Sequence, residues 1–388
     1  MKRSAAIRSV FFNSYTGLGG GETSLLALLG ALDPRAHRPA LVTPRDGPFP
    51  DSVRALGFDT RIVPYRGASL WFVPALWARL PAVGRMVTAL RELGPRIVFS
   101  DFHSLAFALP ACRALGLPLV FLCWGWWFRP RPWQRAFFRK GPTTILALSE
   151  AIKSGFLGTP PFMPPDRIRV LHPGVDISRF RPRPRARIEV RRELGLVADV
   201  RLVTLLARFQ TVKGHEVFLA AARRMAGRSP GVRFVIAGES IFGHAADEAL
   251  KRRVISRVQK DPLLRERVKL LGWVAGPEEL LAASDVLVCS SRFESFGMVL
   301  VEAMASGVAV VSTWVGGPAE IVIDGETGYL VPPGRPDLIA DRVLNLLEDE
   351  DLRTRMGAAG RIRARDRFSL RRYADSFSSL LESIAGPA

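Results

Sequence analysis

The chain alternates, from one end to the other, between short β-branched or aromatic runs and longer segments whose apolar residues have helical spacing. This alternation predicts parallel strands with helices on both faces of each sheet, because consecutive parallel strands are joined by helical crossovers. The predicted strands are Ile7–Phe12, Pro39–Thr43, Arg61–Pro64, Arg96–Ser100, Leu117–Cys123, Thr144–Leu148, Ile168–Leu171, Leu202–Ala207, Phe234–Ala237, Val268–Leu271, Val286–Cys289, Val308–Ser312 and Gly328–Val331. Helical spacing is found, among other places, in Glu22–Leu32 and Leu105–Leu115.

An arginine- and proline-rich segment interrupts this pattern. Arg181–Arg187 contains two prolines and has no apolar face, which predicts an extended linker. A chain of 388 residues also exceeds what one core usually accommodates. We therefore predict an α/β fold with two doubly wound, Rossmann-like domains, residues 1–180 and 188–366, and a closing helix within 367–388. Such sheets bind ligands at the carboxyl ends of their strands, so the cleft between the domains is the expected site.

Composition excludes several classes of protein. With 48% hydrophobic residues the chain is too apolar for a disordered protein. Its uncharged runs Ala114–Phe128 and Ala303–Ala319 are shorter than the ~20 residues of a membrane-spanning helix. Arg8 interrupts the first apolar stretch before it reaches the length of a signal peptide. These features predict a cytoplasmic protein.

The cysteines and the charge distribution give two further expectations. Cys112, Cys123 and Cys289 have no C-x-x-C spacing, so we expect buried thiols rather than a disulfide framework or a zinc site. The formal net charge is +19, of which residues 1–180 carry +13 and the remainder +6. An excess of this size favours an anionic partner for the first half of the chain.

The strongest local motif follows the eleventh predicted strand and opens a helix. The spacing predicts Glu294 in the loop and Glu302 inside the helix, so that two carboxylates bracket a helix N-terminus. Amide groups there bind anions, and carboxylates on either side bind hydroxyl groups, which suits a nucleotide sugar. The amides concerned belong to Phe296, Gly297 and Met298. The alternative is that Glu294 caps the helix and Glu302 is a solvated helix residue.

Two further motifs follow strands. Arg208 ends a buried strand and Lys213 begins the next helical segment, where two cations can neutralise a diphosphate or be ordinary surface charges. The glycines Gly19, Gly20 and Gly21 follow the first strand and can expose amides to a phosphate or a sugar. This loop lacks the register of a G-x-G-x-x-G fingerprint and the Lys-Ser/Thr of a P-loop, which disfavours dinucleotide redox chemistry and nucleotide hydrolysis.

Taken together, these motifs resemble one family over nearly the whole chain. The matching stretches are Gly19–Gly21, His172–Asp176 with Phe180, Ala207-Arg208 with Lys213-Gly214, Phe234–Gly238, Leu271–Val274, the Glu294–Glu302 element, Gly316–Ile321 and Asp324–Gly328. The chain resembles a family 4 glycosyltransferase of the group 1 type, which has the GT-B fold. The single motifs are moderately specific, whereas their order and spacing together are highly specific.

The resemblance implies roles for these residues. Arg208 and Lys213 hold the donor diphosphate and stabilise the leaving group as charge develops. Glu294 binds the transferred sugar and Glu302 holds the ribose. The remaining donor contacts run through backbone groups of Phe296, Gly297 and Met298 at the sugar, Val274 at the base, and the loop Gly19, Gly20 and Gly21. Family members retain the anomeric configuration, which implies same-face substitution with the donor phosphate accepting the acceptor's proton.

The sequence predicts neither a cofactor nor a metal site. Its D-x-D, Asp349–Asp351, lies between two helical segments in a charged cluster and is expected to be a solvated turn. Mg²⁺ at a diphosphate would need carboxylates beside the end of a sheet, and arginine and lysine can replace it there. The donor nucleotide sugar is therefore a substrate, and transfer is expected to be independent of metal.

One departure from the family concerns the first domain. Many members have His-Gly after the strand corresponding to Leu117–Cys123, where this chain has Trp124-Gly125. His103, together with Asp101, follows an earlier strand and is placed to contact sugar or acceptor. The alternative is a loop histidine bound to backbone.

The acceptor side is unusually rich in aromatic and basic residues. Six of the eight tryptophans lie between residues 71 and 133, and Trp124–Lys140 contains five basic residues and no acidic one. Rings at headgroup level and arginines at anionic lipid suit a membrane interface, and the resemblance permits lipid-linked acceptors at the cytoplasmic leaflet. Buried core tryptophans with solvated arginines are the alternative, and nucleic acid is disfavoured because its fold signatures are missing. The candidates for acceptor or membrane contact are Trp124, Trp126, Trp127, Arg129, Arg131, Trp133 and Arg135, with Trp71, Trp77, Arg66, Arg79, Arg85 and Arg91 upstream.

These observations predict a retaining, metal-independent glycosyltransferase. It would move a hexose from a nucleotide diphosphate sugar to a polysaccharide or lipid-linked glycan. A GT-B epimerase or hydrolase is the alternative among enzymes, although it would need base chemistry that the sequence does not show. A catalytically inactive membrane-docking scaffold is the alternative outside enzymes, and the presence of all four charged donor residues argues against it.

Overall fold

The computed structural model describes residues 6–65, 81–125, 130–197, 199–240 and 243–385. The strands are β1 Ile7–Phe12, β2 His37–Thr43, β3 Asp59–Ile62, β4 Ile97–Ser100, β5 Leu119–Cys123, β6 Thr144–Ala147, β7 Ile168–Val170, β8 Arg201–Leu206, β9 Val232–Ala237, β10 Val268–Gly272, β11 Val286–Cys289, β12 Ala309–Thr313 and β13 Tyr329–Val331. Each of the thirteen predicted strands overlaps an observed one, because buried β-branched runs between helical patterns are a strong signal for parallel strands. The strand predicted at Arg61–Pro64 is displaced by two residues to Asp59–Ile62, and it is largely exposed and so lacks this signal.

Helices connect the strands within the described residues. They are α1 Gly20–Ala31, α2 Pro48–Ala55, α3 Pro81–Leu93, α4 Leu105–Leu115, α5 Pro132–Lys140, α6 Glu150–Leu157, α7 Pro184–Glu193, α8 His215–Arg228, α9 Ala245–Lys260, α10 Pro262–Arg267, α11 Pro277–Ala283, α12 Met298–Ala305, α13 Pro318–Ile321, α14 Pro336–Glu348, α15 Glu350–Phe368 and α16 Leu370–Ala385. Short 3₁₀ turns lie at Pro165–Arg167 and Thr211–Lys213.

Two parallel sheets have the strand orders β3-β2-β1-β4-β5-β6-β7 and β10-β9-β8-β11-β12-β13. Both reverse direction of winding once, between β1 and β4 in the first sheet and between β8 and β11 in the second. At such a reversal the connections on the two sides diverge and leave a crevice at the carboxyl ends of the strands. The predicted α/β class with two doubly wound, Rossmann-like domains is confirmed.

The chain divides into two compact units that do not coincide with simple halves. The first unit comprises Met1–Gly174 together with Leu370–Ala388, and the second comprises Val175–Ser369. The predicted closing helix is α16, and it completes the core of the first unit. There Phe11 stacks on Phe99 at 4.5 Å between ring centroids, and Phe377 of α16 lies 5.4 Å from Phe99.

The predicted linker is wrong over most of its length. Pro184 is the first residue of α7, so Pro184–Arg187 is helical rather than extended. Proline is favoured at the first helical position because its missing N–H has no partner there in any case. Arg187 and Arg191 of α7 contact Asp285, at 2.7 and 3.2 Å, and so attach the helix to the second unit.

Candidate active site

The carboxyl edge of the second sheet brings the two strongest motifs together. Arg208 follows β8 and the segment containing Glu294 follows β11, and these strands are neighbours at the reversal point. Their loops are hydrogen-bonded to each other: the Arg292 amide donates to the Val212 carbonyl at 2.7 Å. The Ser290 hydroxyl donates to the Gly214 carbonyl at 3.0 Å. Residues about eighty positions apart thus form one surface.

A buried ion pair lies at the centre of this surface. Nζ of Lys213 is 2.6 Å from Oε2 of Glu294, and the two side chains are 19% and 12% exposed. The Ser291 hydroxyl donates to the same oxygen at 3.2 Å. Bonds between charged groups are shorter and stronger than neutral ones, so the pair fixes both side chains before a ligand arrives. The resemblance assigns Lys213 to the donor diphosphate and Glu294 to the transferred sugar. It does not predict that the two side chains are in contact.

Glycines hold these loops in backbone contact. Gly214 has φ +70° and Gly316 has φ +93°, which non-glycine residues rarely adopt. A Cβ on Gly214 would overlap the Ser290 carbonyl, and one on Gly316 would overlap the Glu294 carbonyl. Gly317 in turn donates its amide to the Glu294 carbonyl at 2.9 Å. The position of Glu294 is therefore set by backbone packing that no larger residue permits.

The helix α12 presents an uncapped N-terminus beside the ion pair. Gly297 is its N-cap, and among the described residues no side chain caps the helix and no acid lies in its first turn. The first amides of a helix have no intrahelical partner and carry partial positive charge, which suits an anion. Glu294 lies in the preceding loop, as predicted, and does not cap the helix. Phe296 is buried and packs edge-on against Phe368 at 5.7 Å, so its side chain is not available to a ligand.

Glu302 lies inside α12, as predicted, and is half-buried rather than solvated. Burial raises the pKa of Glu302 to about 7, the charge of Arg179 lowers it and the charge of Glu278 raises it. Arg179 is itself paired with Glu278 at 2.9 Å. Arg179 was not predicted, because its place beside Glu302 depends on how a turn more than a hundred residues earlier packs.

The other donor candidates of this unit lie along the same sheet edge. Arg208 is half-buried at the end of β8. His215 lies behind it, with Nε2 3.3 Å from the Ala207 carbonyl and its ring stacked on Phe209. Burial lowers the pKa of His215 to about 4, so it is a neutral packing residue at pH 7. Val274 follows β10, half-buried against a small apolar cluster.

At the carboxyl edge of the first sheet, Asp101 is already engaged. Its carboxylate accepts hydrogen bonds from the Ser14 amide at 2.6 Å and the Ser104 amide at 2.7 Å. The hydroxyls of Ser14 and Ser104 donate to it as well, at 3.0 and 2.6 Å. Asp101 therefore joins the ends of β1 and β4. His103 next to it is exposed and contacts Phe102 edge-on at 5.3 Å.

The glycine loop of the first unit contains its own carboxylate. Gly19 is the N-cap of α1, and Glu22 lies in the first turn. The Asn13 side-chain amide donates to Glu22 at 3.4 Å. Burial raises the pKa of Glu22, and hydrogen bonds from its own amide, Asn13 and Gly19 oppose that shift. Gly21 faces the indole of Trp124, to which a Cβ would lie at 3.5 Å.

The aromatic and basic region is divided by the structure. Trp124 is half-buried against the core of the first unit, whereas Trp133 of α5 is 43% exposed and Arg131 beside it is exposed. Arg135 donates to the Pro130 carbonyl at 3.2 Å and lies over the Phe162 ring, so its side chain stabilises the fold locally. Arg66, Trp71, Trp77, Arg79, Trp126, Trp127 and Arg129 lie outside the described residues.

Three other sequence features have simple structural roles. Asp349 of the D-x-D caps α15 by accepting the Leu352 amide at 2.8 Å. The three cysteines are free and buried, as predicted, and burial raises the pKa of Cys112 and Cys123 to about 12. Among the described helices, none is both long and apolar enough to cross a bilayer.

Proteins with similar sequences include enzymes of sugar transfer and synthesis. The D-inositol 3-phosphate glycosyltransferase of Corynebacterium efficiens is 37% identical over 56% of this chain and 51% of its own length. The alpha-maltose-1-phosphate synthase of Mycolicibacterium smegmatis is 32% identical over 62% of this chain and 63% of its own length. The match thus spans about half the length of the inositol phosphate enzymes, and somewhat more of the maltose phosphate enzyme.

Solved structures share the fold over almost the whole chain. A glycosyltransferase from Rickettsia africae has a TM-score of 0.85 at 17% identity, covering 99% of this chain and 100% of its own. HepE of Anabaena, crystallised with UDP and glucose, has a TM-score of 0.82 at 22% identity, covering 97% of this chain and 100% of its own. HepE has also been crystallised with UDP-glucose.

Two family models match consecutive parts of the sequence. The model for glycosyltransferase family 4 matches residues 18–179, which include the glycine loop and Trp124. The model for glycosyl transferases group 1 matches residues 186–363, which include Arg208, Lys213, Glu294 and Glu302. The chain belongs to the group 1, family 4 glycosyltransferases.

Proposed function

We propose that the protein transfers a hexose, with retention of configuration and without a metal ion, from a nucleotide diphosphate sugar to a polysaccharide or lipid-linked glycan. The observation that carries this proposal is the 2.6 Å ion pair between Lys213 and Glu294 beside the uncapped N-terminus of α12. The site thus combines a cation and helix amides for a diphosphate with a carboxylate for sugar hydroxyls.

Donor binding would redistribute the contacts of this pair. The diphosphate would take Lys213 and Arg208, and the hydroxyls of the sugar would donate to Glu294. Glu302, with Arg179 beside it, would accept hydrogen bonds from the ribose. UDP-glucose is the first donor to test, because it is the ligand of the structural neighbour HepE.

The chemical step in this proposal is the departure of the nucleoside diphosphate. The bond between the anomeric carbon and the phosphate oxygen breaks, and the acceptor hydroxyl attacks from the same face. The departing phosphate oxygen takes the acceptor's proton. Lys213 and Arg208 stabilise the negative charge that develops on the diphosphate. Glu294, which also accepts a hydrogen bond from the Ser291 hydroxyl, serves in this proposal to orient the sugar and not to form a covalent intermediate.

The acceptor would bind at the first unit. Trp124 lies against Gly21, with Glu22 and Asn13 nearby, which combines an aromatic ring with polar groups for hydroxyls. His103 at the end of β4 is the further candidate for contact with sugar or acceptor. We also propose that Trp133 and Arg131 meet an anionic membrane surface at the cytoplasmic face. Sedimentation with phosphatidylglycerol vesicles, compared with neutral vesicles, tests this part separately, and equal absence of binding would contradict it.

The main test is turnover of a panel of UDP-, GDP- and ADP-linked hexoses. We expect one donor class to be consumed equally with and without EDTA, and proton NMR to show retention in the product. Lys213→Ala should lower turnover about 10²- to 10³-fold, as removal of one stabilising donor does in other enzymes. Arg228→Ala, which removes an exposed cation paired with Asp341, is the control and should keep full turnover. Unchanged turnover in Lys213→Ala would contradict the assignment.

A further inference from the structure

A second concentration of positive charge lies in the second unit, away from the motifs described above. The charges line a surface groove of about 830 Å³, which lies where α8, α9 and α10 meet. Its lining includes the five cationic residues Arg223, Arg252, Arg253, Arg257 and Lys260. Asp261 is the one acid among the described lining residues, and it is paired with Arg223 at 2.6 Å.

The groove is built from one face of α9. Ala249, Arg252, Arg253, Ser256, Arg257 and Lys260 follow the spacing i, i+3, i+4, i+7, i+8 and i+11, which places them in one stripe. The stripe is about 16 Å long at 1.5 Å per residue. The opposite face carries Leu250, Val254 and Val258, which are buried in the core. The helix is therefore fixed, and the stripe faces solvent.

Most of this charge is not neutralised by the protein. In the described part of the chain Arg252, Arg257 and Lys260 form no ion pair, and Arg253 reaches Glu216 only at 3.5 Å. Like charges at i and i+4, such as Arg253 and Arg257, destabilise a helix. Cations in the last turn favourably oppose the helix dipole, but Arg252 and Arg253 lie about two turns before the end of α9. Helix stability therefore does not account for the stripe.

The groove is separate from the candidate donor site. A crossover helix runs antiparallel to the strands that it joins, so the last turn of α9 lies toward the amino ends of the strands. Lys213 and Glu294 lie at the carboxyl ends. Of the described residues that line the groove, none is aromatic or a large apolar residue. Stacking of nucleic acid bases and insertion into lipid both rely on such side chains.

We propose that the basic groove of α8, α9 and α10 binds a linear anion that carries several phosphate groups along its length. Four of the five cations are arginines, whose planar guanidinium groups each bind phosphate oxygens with two parallel hydrogen bonds. A stripe of about 16 Å is long enough for several phosphates in a row. The ligand can be inorganic polyphosphate or a phosphodiester-linked chain, and both present the same groups. This proposal does not depend on the proposed transfer reaction.

The test measures binding of two probes to the full chain: a polyphosphate of about ten units and an oligomer of glycerol phosphate. The Arg252→Ala/Arg253→Ala double variant should bind the preferred probe about tenfold or more weakly and show a smaller dependence on salt. Its thermal stability should be unchanged or higher, since two of several neighbouring like charges are removed. Arg185→Ala/Arg192→Ala, which removes two exposed arginines of α7 outside the groove, is the charge-matched control and should bind normally.

Several results would overturn the proposal. One is equal affinity of the wild type and the Arg252→Ala/Arg253→Ala variant; another is no binding of either probe at low salt. Binding of phosphatidylglycerol vesicles or of poly(U) through the same arginines, without binding of either probe, would assign the groove to a membrane or to nucleic acid instead. Preference for polyphosphate or for glycerol phosphate distinguishes the two sources. Donor turnover, measured in parallel, should be the same in all these proteins.

Discussion

Each unit has a helix that starts from a glycine N-cap at the carboxyl edge of a sheet, but only the helix of the second unit has no acid in its first turn. In the first unit Glu22 lies in the first turn of α1, with its carboxylate held near Gly19 and Asn13. In the second unit the first turn of α12 contains no acid, and Glu294 is turned to Lys213. Because of this difference, we expect the N-terminus of α12 to suit an anion and the N-terminus of α1 to suit hydroxyl groups.

This comparison predicts that disturbing the glycine contacts of the second unit has a large effect. Gly316→Ala forces a Cβ onto the Glu294 carbonyl in addition to the unfavourable φ. We expect turnover to fall about 10²-fold, because small displacements of positioning groups are costly. The melting temperature should fall as well.

Gly325→Ala is the matched control for that variant. Gly325 has φ +77° but open space around its Cβ position. It should lose stability of about 1–2 kcal/mol and keep most of its turnover. Equal loss of turnover in both variants would show that Glu294 is not the group affected.

A smaller effect is expected from pH. The pKa of Glu302 is about 7, and ribose hydroxyls bind its ionised form better, so donor affinity should weaken as pH falls below 7. One pH unit below the pKa about one tenth of Glu302 is ionised, so the loss of affinity relative to high pH should be at most about tenfold. Glu302→Gln should bind donor with little pH dependence, as calorimetry between pH 6 and pH 8 can show. A dependence that persists in Glu302→Gln would assign the titration to another group.

Without donor, Glu302 should make the stability of the folded protein depend on pH in the opposite direction to donor affinity. The pKa of Glu302 is raised above its ordinary value of 4.5, so folding favours the protonated form. Its stabilising contribution is complete below pH 4.5 and is lost as pH rises through about 7. Without donor, Glu302→Gln should therefore lose less stability than the wild type between pH 5 and pH 8. A melting temperature that changes equally with pH in both proteins would contradict this linkage.

The smallest effect is predicted for the first unit. Trp124→Ala should raise the KM for the acceptor several-fold through the lost aromatic surface, and leave donor affinity unchanged. Phe162→Leu, a change beneath Arg135 and away from the glycine loop, serves as a packing control. A loss of donor affinity in Trp124→Ala would mean that the indole serves the donor, as the glycine loop is expected to do, rather than the acceptor.

The fold could be predicted almost completely, and the site only in part. Strand bounds agree closely because fully buried parallel strands are continuous apolar runs, as in Val286–Cys289. The start of α7 was mistaken for a linker, because proline at the first helical position cannot be told by sequence from proline in an extended segment. The structural role of Asp101 has a local signal in the sequence. Aspartate commonly accepts a hydrogen bond from the amide three residues later, as Asp101 does from Ser104. The contacts of Lys213 with Glu294 and of Arg179 near Glu302 depend on tertiary packing that no local pattern contains.

The most direct test of the account is whether Lys213 contacts the diphosphate of the donor. Calorimetry would compare the nucleoside diphosphate and the nucleoside monophosphate of the active donor class, in wild type and in Lys213→Ala. We expect the wild type to bind the diphosphate much more tightly, and Lys213→Ala to lose most of that difference while its affinity for the monophosphate changes little. If Lys213→Ala keeps the full preference for the diphosphate, the carboxyl edge of the second sheet does not bind the donor as described.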